Sequence, residues 1–243
     1  MNKILVIICL VLFSACTKFE LSNDFVYVPI KSGKYEIATW QKITNSVSPI
    51  HLYIEGDGNA FDAYGRPTSN PTPHGDFVRR LADGDTNGNV VYMARPCQFI
   101  MSEHCDIVDW TNGRFSSDII DSMSGAIKKI VGKKSVVLIG YSGGGMISGL
   151  VIKKFPDIKV KKWITIAGIL NHREWTKYFN DCDLDKSENL ERLPDVSQKH
   201  YIGTNDSVVP LKLAKTWVDS RNLVIVSGAT HTDFDGLVLD FGD

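Results

Sequence analysis

No apolar run in this sequence is long enough to span a bilayer: the longest, Ile4 to Phe13, covers ten residues, where a membrane helix needs about 20. An excess of one charge sign is missing too. The 27 Lys and Arg face 28 Asp and Glu, with no basic block, so nothing favours nucleic acid as a partner. Cysteine is sparse, five in 243 residues, and no Cys/His spacing has the form of a zinc site; neither a metal nor a cofactor is expected. Repeats, low-complexity tracts and linkers that would split the chain are absent. What is present is a 43% apolar composition. That fills the core of one domain near the upper size of single globular units, and it excludes disorder, collagen and coiled coil.

The short apolar run has its own meaning. Lys3 precedes it and Ser14–Ala15–Cys16 follows as a small-residue exit, the pattern of a secretory signal peptide. The stretch Phe13–Ser14–Ala15–Cys16 resembles a bacterial lipobox, with Phe13 where Leu is usual; that resemblance implies that Cys16 becomes the lipid-modified first residue of the mature chain. Residues 1–15 are therefore read as a leader of the lipoprotein type and 16–243 as one domain. The protein is expected to be exported and held by its lipid at the periplasmic face of a bacterial membrane or at the cell surface, as a monomer. An ordinary signal peptide with a chance Cys is the alternative. Export brings oxidising conditions, and Cys97 and Cys105 lie eight apart in one loop, so this pair is expected to form a disulfide. Cys182 is left over as a buried or free thiol.

Beyond Ser22–Asn23–Asp24, strand-like and helix-like segments alternate. Tyr35–Trp40 alternates as an exposed edge strand would. Ile50–Ile54, Val90–Ala94, Val136–Ile139, Trp163–Ala167, His200–Ile202 and Leu223–Val226 are short apolar runs of the kind that form buried strands. Ile119, Ile120, Met123, Ile127 and Ile130 fall at helical spacing, a second helical pattern reaches Phe155, and Leu211–Val218 makes a third. Such alternation predicts an α/β architecture, a mostly parallel sheet with helices on both faces. Two connections are too long for ordinary loops, Asp57 to Asp76 and Arg95 to Ser117; leaving from strand carboxyl ends, they are candidate pocket walls.

The chemistry starts at Gly140–Tyr141–Ser142–Gly143–Gly144, which follows one predicted strand and opens a helix. A sharp turn there would expose the Ser142 hydroxyl, and only small neighbours let the chain pack so closely. A hydroxyl becomes a useful nucleophile when a base takes its proton and a third group orients that base. Asp206, just beyond the strand at His200–Ile202, and His231, just beyond the last strand, follow in the order Ser, acid, His. Glu174 and Asp181 are the alternative acids, and an Asx turn is the bland reading of Asp206. Arg66, Arg95 and Arg114 lie on the long loops, where an Arg ordinarily fixes carbonyls or pairs with a nearby carboxylate rather than receiving a substrate anion. Trp110, Phe115 and Trp175 either line a pocket or pack the loops.

These segments, with Tyr53–Gly58, Arg95–Gln98, Trp110–Ser116 and Asn205–Pro210, resemble the α/β-hydrolase superfamily, and within it an uncharacterised group of exported bacterial lipoproteins. The resemblance covers nearly everything after about Asn23. It implies a hydrolase sheet of about eight strands with a minimal cap, a catalytic triad of Ser142, His231 and Asp206, and hydrolysis of an ester or related acyl bond in a small-molecule substrate. It also implies an oxyanion hole of two backbone N–H groups, those of Gly143 and Asp57, the latter in a loop reading Glu55–Gly56–Asp57–Gly58 where many members carry His-Gly. A lipid-anchored binding protein that keeps the fold without the chemistry is the competing expectation.

Overall fold

A computed structural model describes residues 20–242; the leader at residues 1–15 and the lipidation candidate Cys16 lie outside the described residues. In chain order the strands are β1 (Val26–Tyr27), β2 (Ile30–Ser32), β3 (Tyr35–Ile37), β4 (Thr39–Ile43), β5 (Ile50–Ile54), β6 (Asn89–Met93), β7 (Val136–Tyr141), β8 (Val160–Ile166), β9 (Gln198–Gly203) and β10 (Leu223–Val226). The helices are α1 (Phe77–Asp83), α2 (Ser117–Val131), α3 (Gly143–Lys154), α4 (His172–Phe179) and α5 (Leu211–Trp217), with a 3-10 turn at Ile107–Trp110. Eight strands form one sheet in the order β1-β4-β6-β5-β7-β8-β9-β10. The β1–β4 and β4–β6 pairs are antiparallel and the other five are parallel.

The strands read as continuous apolar runs because both sheet faces are covered. Side chains alternate across the sheet: Ile50, Leu52, Ile54, Leu138 and Trp163 pack with α2 and α3, whereas Tyr53, Tyr92, Ile139 and Ile164 pack with Val78 and Ala82 of α1 and with Phe234. From Gly143 to Ile152 every residue of α3 is buried, as expected of a helix whose sequence is apolar or small all round. Between β8 and β9 stands a single eight-residue helix, α4, so the cap is minimal.

One expectation needs correction. Tyr35–Trp40 is not one exposed edge strand: Tyr35, Ile37 and Ala38 are buried, β3 pairs with β2 in a separate hairpin, and β4 begins at Thr39. That hairpin packs against α2, with Gly125 of the helix facing Ser32. Beyond β10, residues 227–242 run as turns, bends and irregular chain, and Phe241 stacks on His51 at 4.1 Å.

Cys97 and Cys105 form a disulfide, and Cys182 is a free, exposed thiol. Among the described residues no helix is long and apolar enough to cross a membrane.

Candidate active site

Ser142 sits between β7 and α3 with φ 50° and ψ −120°, a conformation L-residues rarely hold and one that costs about 1–3 kcal/mol. Three backbone bonds of 3.0 Å maintain it: Ser142 N–H donates to Ile166 O, while its carbonyl accepts from Gly145 and Ile169. The glycines around it are required by crowding. A Cβ on Gly144 would lie 2.5 Å from Ile54 O and 2.7 Å from Glu55 O, and one on Gly140 would meet the Gly144 carbonyl.

Asp206 and His231 leave β9 and β10, which are parallel neighbours, and their loops are tied together. Thr204 N–H donates to Val226 O (3.0 Å), Asn205 N–H to Ala229 O (2.9 Å), and Gly228 N–H to Thr204 Oγ1 (2.8 Å). The result is a continuous chain: Ser142 Oγ lies 3.0 Å from His231 Nε2, and His231 Nδ1 lies 3.0 and 3.1 Å from the two Asp206 oxygens. The Asp206 carboxylate is fully buried and the His231 side chain 16% exposed. Oδ1 of Asp206 also accepts from the Val208 (2.9 Å) and Val209 (2.8 Å) N–H groups, so the carboxylate that closes this turn is the one that contacts the imidazole. Tyr141 Oη donates to the His231 carbonyl at 3.2 Å. The alternative acids are elsewhere: Glu174 accepts from Trp217 Nε1 (2.6 Å) and Thr216 Oγ1 (3.2 Å), and Asp181 is exposed and accepts from the Cys182 N–H.

Beside Ser142 stands a cluster of charges whose pairing the sequence did not disclose. The Asp57 carboxylate packs against Gly143, is ion-paired with Arg95 Nη1, and lies 3.3 Å from Arg114 Nε. Burial opposes its ionisation, but the Arg114 and Arg95 guanidinium charges outweigh that and hold its carboxyl below the usual range. Gln98 secures the same loop, donating to Gly56 O (2.9 Å) while accepting from Arg95 N–H (3.0 Å). Glu55 is buried beneath, accepting from Gly56 N–H and Tyr92 Oη at 2.9 Å; burial pushes its carboxyl up despite those bonds. The N–H groups of Asp57 and Gly143 make no hydrogen bond among the described residues. They are thus available to an oxygen bound at Ser142.

A cleft of about 500 Å³ opens over Ser142 and His231. The loop from Asp57 to Asp76 supplies much of its wall, including Phe61 and Pro73; of the second long loop only Arg114 reaches it, and the rest packs behind. Trp175 lines the cleft and is anchored by Nε1 on Val208 O (2.7 Å). Trp110 and Phe115 pack the loops, Trp110 Nε1 donating to Thr68 O at 3.1 Å. Arg66 is exposed and paired with Asp62 at 2.7 Å.

No family model and no curated protein matches the chain. Solved structures do. An α/β serine hydrolase without a lid from Xanthomonas campestris is 13% identical, with 88% of this chain and 89% of that one covered and a TM-score of 0.54. An α/β serine hydrolase homologue from Coxiella burnetii is 17% identical over 88% and 91%, TM-score 0.57. Est1E from Butyrivibrio proteoclasticus is 12% identical over 86% and 91%, TM-score 0.55. At such identities the likeness shows the architecture: the chain has the α/β-hydrolase fold.

Proposed function

We propose that this protein is a serine hydrolase that cleaves an ester or related acyl bond through a covalent acyl-enzyme. The observation that carries the reading is the relay from Ser142 Oγ through His231 to Asp206, with contacts of 3.0 Å on each side of the imidazole. His231 Nε2 takes the Ser142 proton as Oγ bonds to the acyl carbon. The carbonyl oxygen becomes an oxyanion held by the Gly143 and Asp57 N–H groups, and His231 returns the proton to the departing alcohol. Water, deprotonated by the same imidazole, then attacks the acyl-enzyme and frees the acid and Ser142. Asp206 holds Nδ1 protonated and stabilises the imidazolium. Each oxyanion donor in such a site is worth about 3–4 kcal/mol of transition-state stabilisation. With a single short helix in place of a large lid, the cleft suits soluble substrates of modest size.

The test is Ser142→Ala. It is expected to abolish labelling by a fluorophosphonate probe and to lower kcat for p-nitrophenyl esters by about a millionfold. Undiminished turnover would refute the nucleophile. A wild-type protein showing neither burst nor turnover, yet binding a small ligand, would support a binding role on the same fold. The leader-like N-terminus adds a proposed location, an exported protein anchored by acyl chains on Cys16; Cys16→Ser should then release it from the membrane fraction, since each buried CH₂ contributes about 0.8 kcal/mol to anchoring.

A further inference from the structure

Arg114 is the one Arg or Lys among the described residues that line the cleft, and the relay does not use it. Arg114 is 4% exposed yet lines the cleft, its guanidinium held 5.5 Å from the Phe115 ring centre and 5.9 Å from that of Trp175. Its donors are poorly occupied. Nη1 makes a long bond to Thr111 O at 3.3 Å, and Nε, buried and 3.3 Å from Asp57 Oδ2, lacks the alignment of a hydrogen bond. Nη2 has no hydrogen-bond partner among the described residues. Arg95, by contrast, spends its Nη atoms on Asp57 and on Arg114 O.

The charge balance points the same way. Asp57 alone faces two guanidiniums. Other carboxylates near the cleft are engaged elsewhere: Asp76 pairs with Arg80 at 2.8 Å, Asp206 contacts the His231 imidazole, and Glu55 accepts from Tyr92 Oη and the Gly56 N–H. Arg114 therefore shares with Arg95 the one carboxylate that is ion-paired with either of them among the described residues, and a buried charge is tolerated poorly unless well paired. A guanidinium with free donors matches a planar carboxylate. Arg114 is grouped with Asp57 and Gly143, on the oxyanion side of Ser142, whereas the leaving group belongs beside His231, which must protonate it. The anion would thus sit on the acyl half, its methylenes against Ile169, Trp175 and Val208, which line the same cleft.

We propose that Arg114 binds a carboxylate at the far end of the substrate's acyl chain, making the hydrolase selective for half-esters of dicarboxylic acids; this rests on the serine-hydrolase reading above. Mono-p-nitrophenyl adipate and p-nitrophenyl hexanoate share a six-carbon acyl chain and differ in the terminal carboxylate. For the full chain, kcat/KM for the adipate, corrected for spontaneous hydrolysis, is expected to exceed that for the hexanoate by about tenfold or more, the scale of a charge-assisted hydrogen bond. The excess should shrink as salt is raised. Arg114→Met should erase the preference. Because both esters are measured on one sample, the ratio is insensitive to the fraction folded; should that variant fail to fold, Arg114→Lys, which keeps charge but not the fork, should reduce the ratio. Equal or better use of the hexanoate by the wild type, or a preference unchanged in the Arg114 variant, overturns the proposal. Fluorophosphonate labelling without turnover of either ester overturns it and leaves the hydrolase reading standing. Absence of both labelling and turnover overturns the two together.

Discussion

Replacing Asp206 by Asn separates the fold's need for this residue from the chemistry's need. Oδ1 accepts two backbone N–H groups, from Val208 at 2.9 Å and Val209 at 2.8 Å, so an Asn must turn its carbonyl oxygen toward them. The opposite orientation would set donors against donors inside a fully buried site. With the oxygen fixed there, the amide NH₂ takes the place of Oδ2, 3.0 Å from His231 Nδ1. An NH₂ can only donate, so it favours Nδ1 as acceptor with the ring proton on Nε2, in competition with the 3.1 Å contact from Nδ1 to the retained oxygen. In that tautomer Nε2 cannot accept the proton of Ser142, 3.0 Å away. A wrong tautomer of this kind lowers kcat by about 10⁴, or about 5.5 kcal/mol of barrier, while the two turn bonds persist and the melting temperature changes little. The assay is burst and steady-state release of p-nitrophenol, with fluorophosphonate labelling falling in parallel. Glu174→Gln is the control. Glu174 binds Trp217 and Thr216 instead of the imidazole, so its loss should alter kcat by no more than about threefold, as for substitutions away from a critical contact. A loss of less than about tenfold in Asp206→Asn, or an equal loss in Glu174→Gln, would refute the assignment of the acid.

Buried His200, bonded to Thr165 Oγ1 and Gln198 Oε1 at 2.8 Å, has its ring pushed down to about 3 by burial. It stays neutral while the unfolded chain takes up a proton below about 6.5. Stability should therefore fall as pH drops from about 6.5 toward 3, by at most about 5 kcal/mol at 1.36 kcal/mol per unit. Denaturant unfolding across that range should lose this one-proton dependence in His200→Asn, and an unchanged slope would contradict it. Removing the disulfide with Cys97→Ser and Cys105→Ser opens a loop with a sequence separation of eight, which should lower stability by about 2–3 kcal/mol. It should also lower kcat, because Gln98 beside Cys97 carries the Gly56 carbonyl and thereby the Asp57 loop; an unaltered unfolding midpoint would count against a stabilising role.

The elements legible in the sequence were those whose physics is local. Ile50–Ile54 and Leu223–Val226 were read to their ends because a buried parallel strand is a bounded apolar run. The Ile spacing of α2 marked a helix that the structure extends only to Ser117–Val131. Tyr35–Trp40 misled because period-two alternation is common to any strand and carries no sign of the partner; the break after Ile37 follows from β3 turning back on β2, a tertiary event. The helices α1 and α4 were missed altogether. Length is not the cause, since α5 is as short as α1 and was read: α4 buries His172 and Thr176 rather than apolar side chains, and in α1 the buried Arg79 stands between Val78 and Ala82, so neither presents an apolar period.

The site divides along the same line. Ser142, Asp206 and His231 were readable because each occupies the first turn beyond a strand, and parallel strands bring such turns to one edge whatever separates them in sequence. Asp57 was expected, from the resemblance and its place at that edge, only as a backbone donor; its carboxylate, paired to Arg95 and Arg114, had no signature. Those partners are distant in sequence and sit on an irregular loop, where neither period nor register constrains a side chain. The sequence reading treated the three arginines alike, as loop-fixing residues. Arg66 and Arg95 behave that way, whereas Arg114 keeps unused donors at the cleft. What distinguishes it is hydrogen-bond occupancy, a property of the assembled walls that exists only once the loop has packed under Trp175 and Phe115.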